Sequence, residues 1–212
     1  MPQPDVVVDD GPHTTLVVRA AAMVGARAVY TDPFFEYLSP NATLRAHGLS
    51  LWCLNVCRHL GPRGQLVTAR RDGRVVGVAA WVPPGAYPYP AATQVAQLLG
   101  ALHALYRTPS ALARGVKYLQ AIDKAHPKEE LWYLQLLATD PEHQRSGIGT
   151  ALLGDVLASC DRDGVASYLE TQKEDNLAYY RRFGYEVDQR LDPVAGGPPL
   201  WTMRREPRTG AG

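Results

Sequence analysis

A glycine-containing turn between a buried strand and a helix is the first feature of this sequence that could do chemistry. The apolar run from Leu131 to Thr139 predicts a strand buried on both faces. The pattern Gln144-x-x-Gly147-x-Gly149 follows, and a helix is predicted from Gly147 to Cys160. The two glycines permit a positive φ or the close approach of a ligand, and a helix N-terminus offers unpaired N–H groups and a positive dipole end. This arrangement suits a pyrophosphate, and Arg145 adds a cation beside it.

Two other phosphate-binding patterns do not fit the same glycines. A P-loop requires Lys followed by Ser or Thr after its last glycine, and no Lys follows here. A dinucleotide-binding fingerprint requires a third glycine at the position that Leu152 occupies. An ordinary tight turn between strand and helix also explains two glycines, so this segment alone leaves both readings open.

A second pattern lies further along the chain, at Asn176-x-x-x-Tyr180-x-x-x-Gly184-Tyr185. A short helix is predicted from Asn176 to Phe183, with Gly184 as a left-handed cap. Asn176 and Tyr180 are four residues apart, so they share one face of that helix.

The elements that must position these residues form an α/β fold with a mixed sheet and helices packed on it. A segment from 86 to 127 is predicted to be a helical insert before the Leu131–Thr139 strand. Besides the elements already named, we expect strands at Leu16–Val18, Leu66–Ala69, Val75–Val82, Val165–Glu170, Tyr185–Leu191 and Leu200–Arg205, a tight turn at Asp72-Gly73, and helices at Ala20–Tyr30, Thr43–Leu60, Gln94–Tyr106 and Ser110–His126.

Composition excludes several classes of protein. The chain has 212 residues, of which 46% are hydrophobic and 20% charged, as in a globular protein. A net charge of +1 gives no reason to expect a nucleic acid or a membrane surface as partner, and three Cys do not make a disulfide scaffold. We expect a single cytoplasmic domain over residues 15–206, with flexible termini at 1–14 and 207–212 and no metal site.

The two spaced patterns together resemble the GNAT superfamily of N-acetyltransferases. The glycine pattern matches its acetyl-coenzyme A signature, and the Asn176–Tyr185 pattern matches the motif that follows it. Two further segments, Tyr30-x-Asp32-Pro33-Phe34 and Gly197-Pro198-x-x-Trp201-x-Met203, resemble the puromycin N-acetyltransferase branch. The resemblance implies a GNAT fold of six to seven mostly antiparallel strands, with a splayed central parallel pair and flanking helices.

The resemblance also implies acetyl-coenzyme A as cofactor. Asn176 would bind the amide of its pantetheine arm. The other implied cofactor-binding residues are Leu137, Ala138 and Thr139 along the strand, and Gln144, Arg145, Ser146, Gly147, Ile148, Gly149 and Thr150 around the pyrophosphate.

The same resemblance implies the acid and base. Tyr180 is the candidate acid, because a phenol with a pKa of about 10 is protonated at neutral pH. Glu170 is the candidate base, with Asp32 and Glu36 as alternatives. Gln135 lies where relatives often carry Glu, but an amide cannot accept the proton.

The expected acceptor is a primary amine on a small molecule, such as an antibiotic or another secondary metabolite. The candidate acceptor-binding residues are Tyr30, Phe34, Trp81 and His103, and His126 is a further possibility. The expected partners include no nucleic acid and no membrane, and the chain is expected to be a monomer or a homodimer. A protein N-terminal or lysine acetyltransferase and a non-catalytic acyl-coenzyme A sensor are the alternative functions.

Overall fold

A computed structural model describes residues 6–60, 65–89 and 109–208. In this part of the chain, seven strands form one sheet in the order β1-β2-β3-β4-β5-β7-β6, and every neighbouring pair is antiparallel except β4 and β5. The predicted mixed α/β fold is confirmed. The strands are β1 (Val7–Asp9), β2 (Gln65–Arg71), β3 (Arg74–Val82), β4 (Trp132–Thr139), β5 (Ser167–Thr171), β6 (Glu186–Leu191) and β7 (Leu200–Arg205).

Helices cover both faces of the sheet. Two of them, α1 and α3, pack over the face that carries Val78 and Ala80, and α5 and α6 pack over the face that carries Ala79 and Trp81. No helix within the described ranges is long and apolar enough to cross a membrane. The helices are α1 (Thr15–Ala28), α2 (Pro33–Leu38), α3 (Ala42–Leu60), α4 (Pro109–Ala125), α5 (Ile148–Asp163) and α6 (Asp175–Arg181).

The hairpin of β2 and β3 forms at the predicted turn. Asp72 and Gly73 both have positive φ, 51° and 74°. A two-residue turn with two positive φ angles matches the right-handed twist of the strands that it joins. This local signal was therefore sufficient to predict both strands, whereas the register shift between Ala69 and Arg70 was not predicted.

The N-terminal prediction was wrong in two respects. Leu16–Val18, predicted as a strand, lies in the first turns of α1, whose N-cap Thr14 accepts a hydrogen bond from the Val17 N–H at 3.4 Å. The edge strand is instead Val7–Asp9, within the segment predicted to be a flexible terminus. A three-residue apolar run does not distinguish a strand from a helix, and here Val18 continues the buried helical face of Ala21 and Ala22.

The Asp32-Pro33 pair, interpreted as a helix break, begins a second helix. The Asp32 carboxylate accepts a hydrogen bond from the Phe34 N–H at 3.0 Å, and Pro33 occupies the first turn of α2. Proline is favoured there because the first N–H groups of a helix have no intrahelical partner.

The helical insert is described in part. The predicted helix Ser110–His126 is confirmed as α4, whereas the predicted helix Gln94–Tyr106 lies outside the described residues. The Tyr118 ring of α4 packs on Phe34 of α2 with 4.4 Å between centroids. The insert is therefore fixed to the segment between α1 and α3.

Helix α5 lies unusually close to the sheet at Gly77 of β3. A Cβ atom at this position would lie 2.5 Å from Ile148 Cγ2 and 3.0 Å from Leu152 Cδ1. Only glycine allows the first turn of α5 to rest on β3, and this contact sets the height of the helix N-terminus above the sheet.

We predict that Gly77→Ala lowers the free energy of unfolding by about 1–3 kcal/mol, because the added methyl group overpacks this contact. Gly154→Ala is the matched control, since Gly154 lies in α5 with nothing within 4 Å of its Cβ direction. The control should be more stable than the parent by up to about 1 kcal/mol. Urea denaturation of both variants measures the difference, and equal stabilities would contradict the close contact.

Candidate active site

The parallel strands β4 and β5 separate to form a fork. Within the described residues they pair only from Trp132↔Ser167 to Leu134↔Leu169. The pairing of β4 with β3 shifts at the same place, since Trp81 faces Leu134 and the next residue, Ala80, faces Leu136. Gln135 is the extra residue, and such a bulge bends a strand and increases its twist. The predicted splay is therefore present, and residues 135–139 form one side of the fork.

The end of β4 is fixed by Asp140. Its N–H donates to the Val76 carbonyl at 2.9 Å, and its carboxylate accepts from the Glu142 N–H at 3.2 Å and from the Arg27 side chain. Burial raises the pKa of Asp140, but the hydrogen bonds from Arg27 and Glu142 outweigh it and the net shift is downward. An ionised Asp140 thus ties the turn to α1 and β3.

The turn that follows has the shape of an anion cradle. Arg145 and Gly147 both adopt left-handed φ angles, 60° and 81°, immediately before α5. The Gln144 side chain donates to the Thr139 carbonyl at 3.4 Å, and the Ser146 hydroxyl donates to the His143 carbonyl at 2.6 Å. Alternating backbone conformations make concave sites lined by N–H groups, and a helix N-terminus favours negative charge. The turn therefore fits a phosphate group.

Gly149 also leaves room for a side chain of the short helix α6. A Cβ atom there would lie 2.5 Å from the hydroxyl oxygen of Tyr179. The Arg182 guanidinium lies 4.8 Å from the centroid of the same ring. Gly149 accommodates a tyrosine that joins α6 to the first turn of α5. Nothing in the spacing of the sequence distinguished Tyr179 from its neighbour Tyr180.

Helix α6 carries Asn176 and Tyr180 to the end of β5. The helix begins at Asp175, and the side-chain amide of Asn176 donates to Thr171 Oγ1 at 2.9 Å. Tyr180 is buried. Burial raises its pKa further above the usual range, and the neighbouring Tyr179, Tyr185 and Asp32 add to the rise. Tyr180 therefore holds its proton at neutral pH.

Glu170 lies just past the point where β4 and β5 part. It pairs with Thr202 of β7 and has no β4 partner in the described chain. Burial raises its pKa to about 7, against the opposing effect of the Tyr133 and Tyr168 hydroxyls. Alternation along β5 puts Glu170 on the same face as Tyr168, which packs on the α1 and α3 side. Tyr180 belongs to the α5 and α6 side, so the two candidates approach the fork from opposite faces.

The predicted acceptor-binding residues that the structure describes lie in three separate hydrophobic clusters. The Tyr30 hydroxyl donates to the Ala42 carbonyl at 3.3 Å, and Phe34 is buried against α4. Trp81 has no exposed surface and packs edge-on against Trp132, 6.5 Å between centroids, so it lies in the core. His103 lies outside the described residues.

Asp32, predicted only as an alternative base, has its carboxylate near the fork. Burial raises its pKa despite the Phe34 hydrogen bond, and Lys173 lies 4.0 Å from it. Its charge also acts on Tyr118 and Tyr180. The Asp-Pro cap was the signal that could have placed it here. Among the described residues, no group of three or more His, Cys, Asp or Glu is arranged to hold a metal ion.

Comparison with known proteins identifies the family. The pattern of the Acetyltransferase (GNAT) family matches residues 27–185, more than half of the chain. The chain therefore belongs to the GNAT acetyltransferases, a family whose members generally use acetyl-coenzyme A.

Solved structures share the fold. A histone acetyltransferase HPA2 and related acetyltransferase from Corynebacterium glutamicum is 21% identical, with a TM-score of 0.68 over 98% of this chain and 99% of that one. The ribosomal-protein-S18-alanine N-acetyltransferase of Escherichia coli is 15% identical, with a TM-score of 0.52 over 97% of each chain. The polyamine N-acetyltransferase of Drosophila melanogaster is also 15% identical, with a TM-score of 0.58 over 95% of this chain and 100% of that one.

The contact between Gly149 and Tyr179 can be measured by a double-mutant cycle. Gly149→Ala should cost about 1–3 kcal/mol of stability, because the methyl group meets the phenol oxygen. Tyr179→Phe removes that oxygen, and the remaining ring carbon lies 3.4 Å from the new Cβ, an ordinary contact. The double variant should therefore recover most of the loss relative to Tyr179→Phe alone. Additive effects in thermal denaturation would show that the two residues do not touch.

Proposed function

We propose that this protein is an acetyl-coenzyme A-dependent N-acetyltransferase that acts on a primary amine of a small molecule. The observation that carries the proposal is the fork between β4 and β5, with an anion cradle at its end and Glu170 at its edge. The two substrates would meet in the fork, and the amine would attack the acetyl carbonyl directly.

The chain has the parts needed to hold the cofactor. Bound acetyl-coenzyme A would supply an acetyl group activated as a thioester. The β4 backbone at Leu137, Ala138 and Thr139 would bind the pantetheine arm by strand addition, and Asn176 would bind an amide of the same arm. The turn from Gln144 to Thr150 would hold the pyrophosphate at the N-terminus of α5.

Two side chains would move the protons. An amine must lose a proton before it attacks, and the Glu170 carboxylate is the base that we propose for this step. A base with a pKa near the working pH combines a large ionised fraction with useful basicity. The Tyr180 hydroxyl would hold the proton that the departing sulfur needs.

The small-molecule acceptor is supported by the resemblance to the puromycin N-acetyltransferase branch and by the position of the insert. Helix α4 packs on α2 through Tyr118 and Phe34, near Asp32. We propose that α4 of the insert borders the acceptor site, which favours a small molecule over a protein chain. The fold leaves the acceptor itself open, since the neighbours named above include enzymes for a protein alanine and for a polyamine.

A panel of amines tests the function. The protein is incubated with acetyl-coenzyme A and each amine, with free thiol and acetylated product both measured. The proposal expects one or more small primary amines to yield product in step with thiol. Free thiol without any acetylated amine would mean that the protein only hydrolyses acetyl-coenzyme A. Acetylated product only with peptides or proteins would mean that the protein is a protein acetyltransferase instead.

Tyr180→Phe should lower turnover at saturating acceptor by about 100-fold, because general acid catalysis typically contributes this much. Its affinity for coenzyme A should stay within about twofold, since the ring remains and only the hydroxyl is lost. Tyr185→Phe is the matched control, as the Tyr185 hydroxyl is bound to Ser167 at 2.9 Å, away from the fork. Steady-state kinetics and calorimetric titration give the two quantities, and unchanged turnover in Tyr180→Phe would remove it from the acid role.

The pH profile tests Glu170. Activity should rise with pH through an apparent pKa near 7, because the base works only when ionised. Glu170→Gln should lose most of the turnover and also this rise. Glu186→Gln, an exposed position on β6, should keep the profile of the parent protein. A Glu170→Gln variant with the same inflection near 7 would assign the titration to another group.

A further inference from the structure

An aromatic cluster beside Glu170 surrounds a buried histidine that the proposed chemistry does not use. His126 is 9% exposed and stacks on the Tyr87 ring at 3.8 Å between centroids. Tyr133 of β4 and Tyr168 of β5 meet it edge-on, at 5.1 and 5.0 Å. The same two tyrosines are the ones whose hydroxyls act on the Glu170 carboxylate.

Three polar atoms of this cluster are buried without a hydrogen-bond partner among the described residues. They are Glu170 Oε1, the Tyr168 hydroxyl and His126 Nε2. Such atoms are rare in native proteins, because burial removes the hydrogen bonds that a donor or acceptor makes with water and no protein group replaces them. Tyr168 links the other two side chains, because its hydroxyl acts on the Glu170 carboxylate and its ring contacts His126. Atoms without a partner are not hydrogen-bonded to one another, so a bridging water or a small rotation completes each link.

The three atoms differ in whether they can donate or accept a hydrogen bond. His126 Nδ1 lies 2.9 Å from the Pro127 carbonyl, and a carbonyl only accepts, so Nδ1 carries the proton and Nε2 is an acceptor. An ionised Glu170 is also an acceptor, whereas the Tyr168 hydroxyl can both donate and accept. A hydroxyl that reaches two acceptors, directly or through a water, can pass a proton from one to the other.

We infer that Glu170, Tyr168 and His126 form a path that carries the proton of the acceptor amine away from the fork, directly or through a bridging water. The inference rests on the proposed function. In this path the ammonium N–H bond breaks and its proton goes to Glu170. Tyr168 then takes that proton while it gives its own to His126 Nε2, so each residue returns to its starting state once the imidazolium releases one proton to solvent. One proton leaves for each acetyl group transferred.

The groups around His126 suit a transient carrier. Burial lowers the pKa of His126, so the ring is neutral at rest and can accept a proton. Asp123 of α4 opposes this shift and favours the imidazolium, and its exposed carboxylate is bonded by the Tyr87 hydroxyl at 3.0 Å. From β4 and β5, the only groups in ring contact with His126 in the described chain are the Tyr133 and Tyr168 phenols.

Nitrogen NMR of the histidine rings tests the connection without any substrate. His126 should show a protonated Nδ1 and an unprotonated Nε2 near pH 7. Tyr168→Phe and Glu170→Gln should each shift the Nε2 resonance, because both change what that atom contacts along the path. A protonated Nε2, or a resonance that neither substitution moves, would overturn the inference.

Kinetics then test the proton transfer itself. His126→Gln and Tyr168→Phe should each lower kcat by about tenfold or more, with the KM for acetyl-coenzyme A within about twofold. Added imidazole should restore part of the His126→Gln rate but leave the parent unchanged, which a packing defect would not do. His47→Gln, an exposed position on α3, is the control that should behave as the parent protein.

The outcomes separate the two hypotheses. If the parent protein acetylates an amine but His126→Gln and Tyr168→Phe turn over at the parent rate, the path is wrong and the proposed function stands. If the parent protein acetylates no amine, the proposed function is wrong, and the NMR shifts still decide whether the three residues are connected.

Discussion

The extra residue in β4 at Gln135 is the constraint on which the site depends. Without it, a parallel strand pair would continue to hydrogen-bond along its length, and the sheet would offer a ligand no open edge. The alternation of side chains along β4 is interrupted at the same residue. Tyr133 and Leu136 face one hydrophobic core, while Leu134 and Leu137 face the other. One inserted residue thus turns the end of β4 away from β5 and leaves its backbone available for binding.

Sequence reasoning succeeded where a local pattern has one structural solution. The Asp72-Gly73 turn needs two positive φ angles, and the turn before α5 needs one at Gly147. It failed where the decisive contact is distant in the chain. Gly149 is small because Tyr179, thirty positions on, occupies the space beside it, and neither residue indicates the other. Likewise, the strand Val7–Asp9 exists only because β2 offers it an edge.

The pKa values of the carboxyl groups around the fork depend on how deeply each group is buried and on which donors bind it. Glu170 and Asp32 are carboxyl groups whose pKa rises because water is excluded and few donors replace it. Asp140 is the contrast, because a guanidinium and a backbone N–H stabilise its charge and its pKa falls. The chain therefore has an ionised carboxylate fixed in the turn, and carboxyl groups with a raised pKa beside the fork. Residue type alone could not make this distinction, since the environment of each carboxyl group decides it.

Strand β4 connects the anion cradle to Glu170. The elements that hold β4 in place come mostly from the N-terminal half of the chain. On one side, Arg27 of α1 pairs with Asp140, so the helix that packs on β3 and β4 also holds the end of β4. On the other side, Gly77 lets α5 rest on β3 at the level of that turn. A displacement of either helix would change the position of the anion cradle relative to Glu170. The geometry of the fork is thus a property of the whole sheet and its helices, although the residues that would touch the cofactor all lie between Leu137 and Asn176.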